Sequence, residues 1–184
     1  VAAIEKADYI VNLAGANVGD KRWTDKRKKE IIGSRVKSGE TLIKALKEIP
    51  NKVKTVVQAS GIDWYPADPS IPNNTPFTET VPHGNHFLGE VCEKWESSIQ
   101  PVTALGKRLV ILRTGMVLSK TGGALDRFEK PVRFGIAAIL SSGKQMISWI
   151  HIEDMIRLYT YAIVKEDLNG IYNATAPTPI SNKS

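Results

Sequence analysis

The sequence predicts an α/β fold, part of a doubly wound parallel sheet, and three observations carry that prediction. Runs of apolar and β-branched residues at 9–13, 53–59 and 109–113 have the length and composition of buried strands. Between them lie single long stretches with apolar residues at helical spacing, the arrangement that parallel strands joined by helical crossovers require. Each run also breaks into small residues, Ala14-Gly15-Ala16, Ser60-Gly61 and Thr114-Gly115. Tips without bulky side chains let another molecule approach the backbone, and in such sheets ligands bind at the carboxyl ends of the strands.

The elements follow in order. After the first strand, Thr24 is placed to cap a helix that runs to about Glu48, with Ile32, Val36, Ile43 and Leu46 on its apolar stripe and Pro50 beyond its end. The second strand is followed by a loop over residues 65–85 with five prolines, a length that marks functional or mobile segments. A second helix presents Leu88, Val91, Cys92, Trp95 and Ile99 on one face, and the third strand leads into Thr114-Gly115. Residues 120–150 read as an irregular segment ending in one short strand at 145–150. His151 occupies an N-cap position, Glu153 and Asp154 suit the first turn of the helix after it, and Met155, Ile156, Tyr159, Ala162 and Ile163 form its buried stripe. A last strand at 171–175 precedes Pro177 and Pro179, where order is expected to stop.

Bulk composition narrows the class. The 184 residues make one domain with room for a core; 42% are hydrophobic and 24% charged, as in ordinary globular chains. A single cysteine, Cys92, excludes internal disulfides and a cysteine-based zinc cluster, which favours a reducing, cytoplasmic setting. No apolar run approaches the roughly 18 residues of a membrane span, so no membrane partner is expected. The net charge of +6 is concentrated in Lys21, Arg22, Lys26, Arg27, Lys28 and Lys29. That run suits phosphate contact, on a dinucleotide or on nucleic acid, or a solvated first helical turn; charge alone makes nucleic acid the weakest of these. The chain does not begin with Met and enters a strand almost at once, which reads as a section of a longer protein.

Several segments in sequence order are then recognisable: V-N-L-A-G-A (11–16), K-R-W-T (21–24), S-R-V (34–36), Q-A-S-G-I-D-W-Y (58–65), F-L-G-E-V-C-E-K-W-E (87–96), L-R-T-G-M-V-L-S-K-T-G-G-A-L (112–125), S-W-I-H-I-E-D-M (148–155) and Y-N-A-T-A-P-T-P-I-S-N (172–182). Together they resemble the NAD-dependent epimerase/dehydratase-like proteins of the extended short-chain dehydrogenase/reductase superfamily, within the branch labelled nucleoside-diphosphate-sugar epimerase. The resemblance implies a Rossmann-like domain, incomplete over residues 1–184, that binds NADP or NAD. It implies a Gly-rich unit before this section and a small domain after it, with residues 120–150 on the substrate side. Carried onto matching positions, it places the dinucleotide along Leu13, Ala14 and Gly15, within reach of Glu30 and Arg35 and closed at the nicotinamide end by Val117. A salt bridge on a solvated helix face accounts for Glu30 and Arg35 as well.

The superfamily's chemistry uses a tyrosine, a lysine four residues on that lowers the tyrosine's pKa, and a serine that orients the substrate oxygen. Ser60 stands at the matching strand end. The tyrosine and lysine positions hold Phe87 and Val91, neither of which exchanges a proton. Tyr161 and Lys165 repeat the spacing but follow the third strand, in the wrong order relative to Ser60. Tyr65 is the remaining candidate acid, or an aromatic lid beside Trp64; His151 is a proton carrier or a cap, and Cys92 inert core. Residues 137–140, Ala-Ala-Ile-Leu, replace the Gly-Gly-Pro-Leu-Gly of the resembled proteins and imply a differently shaped substrate side. Two functions follow: an NAD(P)-dependent epimerase or oxidoreductase acting without a metal on a small molecule, with a sugar nucleotide as the substrate the resemblance suggests, or a non-catalytic NADP-binding or regulatory protein.

Overall fold

The computed structural model describes residues 2–120, 122, 125 and 142–183. A short helix α1 (Ala2–Lys6) leads into β1 (Tyr9–Asn12), and the long helix α2 (Asp25–Glu48) returns the chain to β2 (Thr55–Gly61). A 3₁₀ turn (Ile62–Trp64) opens the proline-rich loop, which ends at α3 (Phe87–Ile99). A second 3₁₀ segment (Gln100–Leu105) precedes β3 (Arg108–Thr114) and β4 (Met116–Leu118). Beyond residue 141 come β5 (Met146–Ile147), β6 (Trp149–His151), α4 (Ile152–Val164), β7 (Gly170–Ala174) and β8 (Ile180–Ser181).

Strands β1, β2, β3 and β7 form one parallel sheet in that order, with Asn12 opposite Gln58, Gly61 opposite Thr114 and Thr114 opposite Ala174. Alternate residues of β2 and β3 feed two cores. Val56, Leu109 and Ile111 pack with Ile43, Leu46 and Ile99 of α2 and α3, whereas Val57, Val110 and Leu112 pack with Met155 and Ala162 of α4. Burial on both faces explains why these strands read as continuous apolar runs rather than alternating ones. Arg108, at the start of β3, donates to the carbonyls of Ala162, Ile163 and Leu168 and so satisfies the carboxyl end of α4.

Several expectations are corrected by packing. Within the described sheet the run 9–13 is less buried than expected: Tyr9 is 41% and Val11 39% exposed, and of the strand only Asn12 is buried. β1 is the edge of the described sheet, with Tyr9 and Val11 opposite Thr55 and Val57. The buried line of α2 is Arg27, Ile31, Arg35, Gly39, Ile43 and Leu46, with Ile32 and Val36 only half-buried. Close contact with α3 sets that rotation, because a Cβ on Gly39 would fall within 2.9 Å of the Ser98 side chain. Ile156 is 59% exposed rather than part of the stripe of α4, and Leu158 packs in the core instead. Residues 145–150 make two strands with different partners, β5 against β8 and β6 against β4. Order accordingly continues past Pro177 and Pro179 into β8. α1, which sequence reading passed over, packs Ile4 against the α2/α3 core. Residues 137–140 and most of the segment after Lys120 lie outside the described residues.

Candidate functional site

The three small-residue tips converge. Adjacent and parallel, β1, β2 and β3 bring Asn12–Ala16, Ser60–Gly61 and Thr114–Gly115 to one edge of the sheet. Under the first tip, Asn12 donates to Gln58 Oε1 at 2.8 Å, and its Oδ1 accepts from Ser38 Oγ at 2.9 Å and from the Ala14 amide at 3.2 Å. Both side chains are nearly inaccessible, so this network fixes the exit of β1.

The loop after β1 is stapled onto α2. Ser34 Oγ accepts from the Ala16 amide at 2.9 Å, Arg35 donates to the Ala16 carbonyl at 2.9 Å, and Arg27 donates to the Asn17 carbonyl. Arg35 also lies over the Trp95 ring at 4.6 Å and beneath Gly15, where a Cβ would stand 2.8 Å from the guanidinium carbon. Gly15 therefore makes room for Arg35 from below, a role apart from ligand approach above. Arg35 pairs with carbonyls and an aromatic face; burial, aided by the charge of Arg27 and opposed by Cys92, lowers its pKa. Glu30 pairs with Arg27 at 2.8 Å, not with Arg35, and the hydrogen bond from Arg27 lowers its pKa while its side chain stays 56% exposed. The cationic run is thus divided. Arg27 is structural, Lys28 lies over Phe87, and Lys21, Arg22, Lys26 and Lys29 face solvent. Leu13, 62% exposed, and the exposed Ala14 complete the open surface of this tip.

At the second tip a buried polar chain begins. Ser60 donates to Glu96 Oε1 at 2.6 Å, and Glu96 receives Arg113 Nε at 2.9 Å and Nη2 at 3.0 Å. Arg113, 1% exposed, also donates to Tyr65 Oη at 3.3 Å and to the Glu79 carbonyl at 3.1 Å, with its guanidinium 3.7 Å from the centre of the Trp64 ring. Desolvation pulls its pKa down, but the bonds to Glu96 and Tyr65 prevail and hold it above the usual arginine range. Tyr65 Oη donates a hydrogen bond to Asn173 Oδ1 at 2.6 Å, and its ring stacks on Phe77 with centres 5.3 Å apart. The Asn173 amide donates to Glu79 Oε1 at 2.8 Å. Tips β2, β3 and β7 and the proline-rich loop are therefore one hydrogen-bonded unit, and Tyr65 is a buried strut within it. The Arg113 guanidinium lies 5.4 Å from the centre of the Tyr65 ring.

The remaining candidates fall as follows. Phe87 opens α3 and meets Trp23 edge-on at 5.1 Å, while Val91 is 3% exposed. Cys92 is buried and desolvation pushes its thiol up to about 11, so it is protonated core. Val117 sits in β4 opposite Ile150. Tyr161 is 49% exposed and Lys165 pairs with Asp167 at 3.2 Å, away from Ser60. His151 Nδ1 accepts from the Glu153 amide, which makes it the N-cap of α4. Among the described residues no cluster of His, Cys, Asp or Glu could hold a metal, and no helix is long and apolar enough to cross a membrane.

Beside the tips of β2 and β7, a cavity of about 620 Å3 opens between the proline-rich loop, Ser148 and residues 173–179. The family model for the NAD dependent epimerase/dehydratase family matches residues 1–175. The chain belongs to that family. It is 37% identical over 172 residues to an epimerase family protein of Staphylococcus epidermidis, covering 94% of this chain and 56% of that protein. An epimerase family protein of Mycobacterium leprae is 34% identical over 180 residues, covering 98% and 57%. Among solved structures, the human epimerase family protein SDR39U1 with NADPH superposes with a TM-score of 0.86 at 32% identity, covering 97% of this chain and 60% of that one. A nucleoside-diphosphate sugar epimerase from Corynebacterium glutamicum does so with 0.83 at 33%, covering 98% and 37%. The chain thus spans less than two thirds of these relatives.

Glu96, Arg113, Glu79 and Asn173 form the polar chain at these strand tips that sequence reading missed. One signal was available: an arginine inside the apolar run 109–113 needs a buried acceptor, and a glutamate after Trp95 in a helix packed on that strand can supply it.

Proposed function

We propose that this chain forms the nicotinamide-side half of an NADP- or NAD-binding groove, and that the intact protein carries out hydride chemistry on a small molecule as an epimerase-like oxidoreductase. The adjacency of the three small-residue tips carries this reading, because it builds one open crevice at the carboxyl edge of a parallel sheet. Leu13, Ala14 and Gly15 would lie along the dinucleotide, Glu30 would flank it from α2, Arg35 would support it from beneath through the Ala16 carbonyl, and Val117 would close its nicotinamide end. Bound there, the cofactor would supply or accept the hydride. Ser60 would meet the reacting oxygen and Tyr65 would brace the loop above it. The NADPH held by the human relative and the family's NAD-dependent character support the choice of cofactor.

A second reading, a binding or regulatory protein without turnover, is favoured by a specific feature. Phe87 and Val91 cannot move a proton, Tyr65 donates to Asn173 and Ser60 donates to Glu96. A hydroxyl whose proton is committed can accept a hydrogen bond from a ligand but cannot polarise a carbonyl. The test uses the intact protein. Under the first reading NADPH raises the melting temperature and is consumed with a carbonyl substrate. NADPH stabilisation without consumption selects the second, and absence of any NADPH effect refutes both.

A further inference from the structure

We propose that Asp63 is the proton donor of this groove, a carboxyl at the β2 tip that hands its proton to the oxygen of a carbonyl substrate. This rests on the nicotinamide reading above and adds the acid that Phe87 and Val91 do not supply. Asp63 lies in the 3₁₀ turn (Ile62–Trp64) that leaves β2. Its side chain folds back over the strand tip, with Oδ2 3.5 Å from where a Cβ on Gly61 would stand. The Cys92 sulfur lies 3.8 Å from the same point. The carboxyl therefore occupies the angle between the β2 tip and α3, beside the stretch 87–92 that holds the resembled proteins' tyrosine and lysine positions.

Hydrogen bonding sets Asp63 apart from its neighbours at this tip. Ser60 donates to Glu96, Tyr65 donates to Asn173, and Glu96 is held by Arg113. Among the described residues the Asp63 carboxylate accepts only from its own amide, so it can take up a proton and donate it to a ligand. Desolvation raises its pKa, and the positive charge of His86 opposes that rise. The titratable groups that face it among the described residues both come from the α3 segment. They are His86, which stands at the N-cap without a side-chain cap bond, and the protonated Cys92 thiol. A partly desolvated carboxyl at the ligand edge of a sheet suits general-acid work. As a hydride forms the new C–H bond, the carbonyl π electrons pass to oxygen, the Asp63 O–H bond breaks and its proton forms the alcohol O–H. The dinucleotide is left oxidised, and the carboxylate regains a proton from solvent.

The experiment measures Kd for NADP⁺ and for NADPH on the intact protein from about pH 4 to pH 8. Wild type, Asp63→Asn, Asp63→Ser and His86→Gln are compared, and NADPH-dependent reduction of phenanthrenequinone, a 1,2-diketone, is followed in parallel. The oxidised nicotinamide carries a positive charge, which favours an ionised carboxylate beside it. In wild type and His86→Gln, NADP⁺ should therefore gain on NADPH by about threefold or more as pH rises through the Asp63 titration. Both Asp63 variants should flatten that curve and slow diketone reduction by about tenfold or more, without a matching loss of NADPH affinity. The proposal is overturned if the affinity ratio is flat in wild type, if its pH dependence survives in both Asp63 variants, or if these variants reduce the diketone no slower than wild type. Wild type that binds neither nucleotide refutes the nicotinamide reading itself. Binding of both with no effect of Asp63 leaves that reading standing and removes only this carboxyl from it.

Discussion

Replacing Glu96 by alanine tests the buried chain from Ser60 to Asn173 at its most sensitive link. Glu96 is 3% exposed and accepts three hydrogen bonds, two of them from the guanidinium of Arg113, itself 1% exposed. Removing the carboxylate leaves Arg113 as an uncompensated buried charge, a change that costs about 3–5 kcal/mol. At roughly 2–4 °C per kcal/mol for a chain of this size, the melting temperature should fall by about 6–20 °C. Glu96→Gln keeps one acceptor oxygen for Arg113 but loses the charge and turns the other oxygen into an NH2 donor, so it should fall between wild type and the alanine variant. Because Arg113 also holds Tyr65 and the Glu79 carbonyl, limited proteolysis of the alanine variant should cut first within residues 65–85. Differential scanning fluorimetry with timed proteolysis reads both effects. A loss below about 1 kcal/mol, or cleavage no faster than wild type, would refute the claim that one ion pair ties the loop to the strand tips.

Two further predictions probe the helix core beside Ser60 and the loop after β1. The Cys92 thiol is pushed up to about 11 in the folded chain by burial, so its contribution to stability is complete below the unfolded thiol's pKa and is lost as pH rises through about 9 to 11, up to about 3 kcal/mol. Melting curves from pH 8 to 11 should steepen downward for wild type and flatten for Cys92→Ala; parallel curves would contradict this. Gly15→Ala sets a methyl 2.8 Å from the Arg35 guanidinium carbon. It should cost about 1–3 kcal/mol in thermal stability by overpacking, and weaken NADPH binding by moving Arg35; an unchanged melting temperature would show that Arg35 yields freely.

How much of this was legible depends on whether an interaction is local. The tips were legible because small residues after an apolar run are a chain-local pattern, and Thr24 and His151 as caps needed only their immediate neighbours. The edge position of β1 was not, since 9–13 has the composition of a central strand and only its place in the sheet leaves Tyr9 and Val11 exposed. The rotation of α2 was set by Gly39 against Ser98, a contact 59 residues apart in sequence. Tyr65 illustrates the same limit. A tyrosine beside a ligand-side tip reads as an acid, and only Asn173, 108 residues on, makes it a strut.

Phe87 and Val91, where the resemblance puts the superfamily's tyrosine and lysine, are both held by packing. Trp23 and Lys28 both rest on the Phe87 ring, and Val91 is enclosed at 3% exposure. Arg35 approaches the same side of α3, with its guanidinium 4.6 Å from the centre of the Trp95 ring. A lysine introduced by Val91→Lys would therefore be desolvated beside an existing buried cation, which penalises its charged form twice. Phe87→Tyr by contrast adds one hydroxyl at a half-buried site. The single variant Phe87→Tyr should fold with a melting temperature near wild type, whereas the double variant Phe87→Tyr, Val91→Lys should lose several kcal/mol, most of it from position 91. Neither should gain NADPH-dependent reduction of a test carbonyl, because the Ser60 proton remains with Glu96. Adding Glu96→Gln to Phe87→Tyr reverses that bond, since the new amide can donate to Ser60 Oγ and release its proton toward the groove. If the Phe87→Tyr single variant reduces a carbonyl as fast as the combination with Glu96→Gln, the hydrogen-bond direction at Ser60 does not govern this groove.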